Sequence, residues 1–130
     1  MRKSIFKTGQ YYHLYNRGVN HQPIFFCNEN WGFFLKKLRW YCKSEYTDIV
    51  SYCLMPNHYH LIVHLKTDNL SSAIMQPFTI SYTKAVNRQQ KRTGPVFGGP
   101  FKAILIDKNE YLVHLSRYIH LNPVFAGLTD

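Results

Sequence analysis

Tyr52-Cys53-Leu54-Met55-Pro56-Asn57-His58-Tyr59-His60-Leu61-Ile62-Val63-His64 decides the fold. Aromatic, apolar and β-branched residues on both sides of Pro56-Asn57 read as two strands, over residues 48–54 and 58–65, with Pro-Asn as the break between them. Side chains at i and i+2 of a strand share a face, so His58 and His60 project together. Two imidazoles on one rigid face make two-thirds of a three-ligand metal site that keeps positions open for a substrate. His64 points to the same side, but at 3.3 Å per residue it lies about 13 Å further along and cannot share an ion with His60.

Working outward, residues 10–17 read as a first strand, ended by Gly18. Asn28-Glu29-Asn30 offers capping chemistry for a helix over residues 29–43, with Trp31, Phe34, Leu35, Leu38 and Tyr41 or Cys42 at helical spacing. Asn69 or Ser71 starts a long helical stretch over residues 70–90, which Pro77 should kink or split. Lys91-Arg92-Thr93-Gly94-Pro95 and Gly98-Gly99-Pro100 are turns, and residues 101–107 make a fourth strand. A last helix begins at Asp107 or Asn109 and runs to Asn122, where Pro123 stops it. The order strand, helix, strand, strand, helix, strand, helix is the split βαβ pattern. It predicts an α+β, ferredoxin-like βαββαβ domain: an antiparallel sheet with helices on one face, plus a C-terminal helix. Strands one and three would then be central, and one sheet face would be free for chemistry.

At 130 residues the chain reads as a single domain, residues 1–130, with one core. It is 45% hydrophobic and 16% aromatic, which favours folding over disorder. Sixteen Lys and Arg against seven Asp and Glu give a net charge of +9. Cations neutralise phosphates and flat rings stack on unpaired bases, so this balance fits nucleic acid. Cys27, Cys42 and Cys53 are odd in number, without a Cys-x-x-Cys pair, which argues against a disulfide framework and for a reducing cytoplasm. No run of about 18 apolar residues suggests a membrane span.

The last predicted helix carries Arg117-Tyr118-Ile119-His120-Leu121-Asn122-Pro123. At 3.6 residues per turn, Tyr118 and Asn122 are neighbours at the margin of a stripe made by Leu112, Leu115 and Ile119. His120 points elsewhere on that helix.

The chain resembles the REP-associated tyrosine transposases, single-strand transposases of the His-hydrophobic-His endonuclease superfamily. Cys53-Leu54-Met55-Pro56-Asn57-His58-Tyr59-His60-Leu61 matches their metal-binding motif. Tyr15-Asn16-Arg17-Gly18, Gln22-Pro23-Ile24-Phe25, Arg92-Thr93-Gly94, Phe101-Lys102-Ala103 and residues 117–124 follow in register. The resemblance implies cleavage of single-stranded or hairpin DNA carrying repeated palindromes, through a 5′-phosphotyrosine. It places His58 and His60 on the metal-binding histidines, Tyr118 on the nucleophile and Asn122 where the superfamily has an amide-bearing third ligand. The implied ion is Mg²⁺ or Mn²⁺, and related enzymes include homodimers that share the tyrosine-bearing helix.

Arg17, Arg88, Arg92 and Lys102 are the candidate DNA contacts. Departures from the family pattern stand at Pro77, at Gly98-Gly99-Pro100 (where an Arg is usual) and at Phe125, again in place of an Arg. Two other readings compete: a nucleic-acid-binding module of the same fold without catalysis, and a structural zinc site. A structural zinc normally closes with four ligands, and no fourth Cys or His converges in the sequence.

Overall fold

The computed structural model describes residues 6–107. Strand β1 (Tyr11–Arg17) leads through a short turn at Val19–His21 to helix α1 (Asn28–Tyr41). A hairpin of β2 (Thr47–Met55) and β3 (His58–Leu65) follows. Helix α2 (Gln76–Gln90) and strand β4 (Lys102–Ile106) complete the unit. The sheet is antiparallel in the order β2-β3-β1-β4, the expected α+β βαββαβ arrangement with β1 and β3 central. The expected C-terminal helix lies outside the described residues. No helix among the described residues is long and apolar enough to cross a membrane.

Alternation builds the two faces. Leu14 of β1 and Tyr59, Leu61, Val63 and Leu65 of β3 are buried on one side, packed with Phe34 and Leu38 of α1 and Phe78, Tyr82 and Val86 of α2. Each Leu so buried is worth about 1.5–3 kcal/mol, so this face fixes which side of each strand points inward. The opposite side carries Tyr11, His13, Tyr15 and Arg17 of β1 beside His64, Ile62, His60 and His58 of β3.

Several local expectations need correction. Helix α1 starts one residue early, and its N-cap is Cys27 without a side-chain cap bond. Asn30, inside the first turn, instead accepts from the Phe26 N–H (2.8 Å) and donates to Gln89 Oε1 (2.6 Å). It thereby ties the helix start to α2 rather than capping it directly. The stretch over residues 70–90 is indeed divided: a π-helical turn, Leu70–Met75, passes into α2 with Pro77 in its first turn. Proline has no N–H to give the preceding turn, and a helix start is where that loss costs least.

The Pro56-Asn57 turn is clamped from outside. Gly18 donates to Asn57 O (2.9 Å) and Ile24 to Pro56 O (2.9 Å). A Cβ on Gly18 would lie 1.9 Å from the Gln22 carbonyl oxygen, so only glycine fits this close approach. Gly18→Ala should therefore lower stability by about 1–3 kcal/mol, read as a shift in the urea midpoint; an unchanged midpoint would refute the close approach.

Candidate active site

The hairpin and β1 together set the site. Arg17 pairs with His58 and Tyr15 with His60 in the β1–β3 register, while Met55 and Cys53 flank the same histidines from β2. The His58 and His60 rings are 5.1 Å apart and nearly perpendicular. A cleft of about 360 Å³ opens here, lined by Tyr15, Asn16, Arg17, His21, Asn57, His58, Tyr59 and His60. A second hollow of about 520 Å³ shares Tyr15, Asn16, Arg17 and His21 and extends to Gly98, Gly99, Pro100 and Lys102.

Local backbone shapes the rim. Asn20 and His21 adopt left-handed conformations (φ 53° and 61°), which Asn and His tolerate better than most residues. Asn16 is buried; its amide donates to Gly99 O (2.9 Å) and its Oδ1 accepts from the Arg17 N–H (2.9 Å). With Gly98 N–H bonded to Arg17 O (3.0 Å), this pins the glycine loop to the end of β1.

Each histidine has one ring nitrogen engaged by the protein. His58 Nδ1 lies 2.8 Å from Asn57 Oδ1; an amide oxygen only accepts, so Nδ1 carries the proton and Nε2 keeps the lone pair. His60 Nδ1 lies 2.9 Å from Nε2 of His13. Burial, then the neighbouring His13 and His58, push the His60 imidazole down to about 4. Burial, then the Arg17 charge, lower His58 as well. Both rings are thus neutral near pH 7, the form that ligates metal. A partner on Nδ1 that leaves Nε2 available is the usual surrounding of a metal-binding histidine. The residues present therefore fit a divalent ion. Among the described residues, no third His, Cys, Asp or Glu completes a metal-binding group with them.

The structure brings Arg17 and Lys102 to the histidine face; Lys102 pairs with Tyr15 across β1 and β4. Arg88 and Arg92 stand instead on the helical layer. Arg88 is exposed near the end of α2, and Arg92 follows that helix with its guanidinium over the Phe26 ring (5.0 Å) and bonded to Asn87 and Pro95. His64 lies at the far end of the sheet, against Tyr11 (4.6 Å between ring centres) and 3.9 Å from Asp48. Tyr118, Asn122 and His120 lie outside the described residues. His13 is the residue that the sequence reading missed. Its signal was the alternation Tyr11-His13-Tyr15, which puts three rings on one face of β1.

The sequence pattern of the family described as "Transposase IS200 like" matches residues 6–122. No curated protein matches the chain. Among solved structures, a REP-associated tyrosine transposase bound to a REP hairpin superposes with a TM-score of 0.74 at 18% identity, covering 98% of this chain and 74% of the other. A Deinococcus radiodurans R1 protein assigned to the transposases gives 0.56 at 16% identity, covering 92% of this chain and 96% of the other. Both likenesses concern the fold.

The neutral histidines carry a pH signature. An imidazole with a folded value below its ordinary 6.5 stays uncharged in the fold while the unfolded chain takes up a proton. Its contribution is present above pH 6.5 and is lost as pH falls toward the folded value. For His60, at about 4, solvent screens part of the effect, and metal-free protein should lose about 1–2 kcal/mol between pH 7 and 4.5. Urea titrations of wild type and His60→Gln check this, the variant showing a flatter slope; equal slopes would contradict it.

Proposed function

The chain belongs to the IS200-like transposase family, and we propose that it is a single-tyrosine DNA transposase that nicks and rejoins single-stranded or hairpin DNA. The observation that carries this reading is the pairing of two neutral imidazoles on one sheet face with Arg17, which lines the same cleft, and Lys102, which lines the adjoining hollow. Neutral ligands with cations around them suit an anionic phosphodiester.

His58 and His60 would hold a divalent ion, Mg²⁺ or Mn²⁺, with Asn122 as third ligand. When bound, such an ion supplies charge neutralisation at the phosphate. Tyr118 is the nucleophile: its hydroxyl oxygen bonds to phosphorus, the bond to the 3′ oxygen breaks, and that oxygen leaves as a 3′ hydroxyl. The phenol proton passes to solvent in the same step and the leaving 3′ oxygen takes one up, so no net proton is released. The 5′ phosphate stays on Tyr118, so the bond energy is conserved and attack by a 3′ hydroxyl reverses the reaction. Arg17 and Lys102 neutralise phosphates that flank the scissile one, and Tyr15 offers a ring beside the cleft for an unpaired base. Arg88 makes outlying phosphate contacts, whereas Arg92 first holds its own turn together.

The substrate class follows from the same reasoning. A REP hairpin is the DNA bound in the superposable structure, and we assign this chain a DNA of that hairpin type, met in the cytoplasm on the nucleoid. The test is covalent capture. With Mn²⁺ and hairpin DNA, wild type should give a protein–DNA adduct that survives denaturation. Tyr118→Phe or a chelator should abolish it, and His60→Ala should cut it at least about 100-fold, the loss of a principal ligand exceeding that of an outer partner. Retained DNA binding without any adduct would instead identify a binding module of the same fold. An adduct undiminished in Tyr118→Phe would move the nucleophile elsewhere.

A further inference from the structure

His13 takes no part in the chemistry assigned above, yet it is the partner that His60 contacts most closely. It is 8% exposed, and its Nε2 lies 2.9 Å from His60 Nδ1. The two ring centres are 5.1 Å apart with planes 26° from parallel, so the rings meet edge to edge through these nitrogens, and Tyr15 lies 5.1 Å from His13 and 6.0 Å from His60. Ile62, across the register from His13, is fully buried. These contacts hold both rings in place.

A neutral imidazole carries one N–H, so a bond between two ring nitrogens requires one to be protonated and the other bare. The tautomers of His13 and His60 are therefore coupled. If His60 donates from Nδ1, its Nε2 keeps a lone pair and the His13 proton sits on Nδ1. If His13 donates from Nε2, the His60 proton moves to Nε2 and blocks ligation there. Among the described residues His13 Nδ1 is buried without a hydrogen-bond partner, so none of them dictates where the His13 proton resides.

We propose that His13 is a positioning residue for His60: Nε2 of His13 accepts from Nδ1–H of His60, setting the ring angle and leaving Nε2 of His60 free to ligate. The inference rests on His58 and His60 being metal ligands. Metal uptake then selects one tautomer pair, and His13 ends with its proton on Nδ1, which has no partner among the described residues. The site thus contains a proton position that responds to metal without any change of charge.

Three measurements on the whole chain test this. Nitrogen-15 NMR of the metal-free protein should show a coupling across the hydrogen bond between His13 and His60, and Mg²⁺ should drive His60 to the Nδ1–H form. His13→Phe keeps an aromatic ring in this buried place but removes both nitrogens. It should weaken Mn²⁺ binding by about 10–100-fold under conditions where urea titration shows the variant folded, and His13→Gln, whose amide reaches the Nε2 position, should recover most of that loss. Unaltered Mn²⁺ affinity in His13→Phe would overturn the positioning role while leaving the ligand assignment intact. Wild type binding Mn²⁺ no better than His60→Ala would overturn the ligand assignment, and this inference with it.

Discussion

The antiparallel register of β1 on β3 is the constraint from which the site follows. It sets Arg17 across from His58, Tyr15 across from His60 and His13 across from Ile62. A slip by one residue would send every side chain to the other face. Leu14 and Leu61, themselves a register pair, are fully buried against the helices, and Tyr59, Val63 and Leu65 add to the penalty for such a slip. The core on one face thereby enforces the chemistry on the other.

The charge distribution on the sheet is polar along its length. Arg17, Lys102 and the two lowered histidines gather at one end. The sheet's carboxylates stand at the opposite end: Asp48 pairs with His64, and Asp107 follows Ile106, which pairs with Tyr11. Among the described residues no carboxylate lines the histidine cleft, and two neutral imidazoles add no negative charge of their own.

Much of this was legible in the chain because short-range rules govern it. The period of two put His58 and His60 on one face, Pro56-Asn57 marked the hairpin, and β3 spans the residues its pattern indicated. Pro77 announced the division of the second helical stretch. What escaped depends on contacts between distant residues. His13 meets His60 across 47 positions, and no local pattern reports a register between strands. Asn30 looked like a cap, but Gln89 recruits it from another helix. Arg92, read from the sequence as a DNA contact, also packs over Phe26 and bonds to Asn87 and Pro95, partners that only the fold brings near.

Cys53 shares the histidine face, paired with His60 from β2, and it is only 2% exposed. Burial raises its thiol above the ordinary range, so the sulfur stays protonated near neutral pH. Packed with Ile62 and Ile106, this sulfhydryl acts as a small apolar side chain, so the dry patch beside His60 is built from a residue that elsewhere would be reactive.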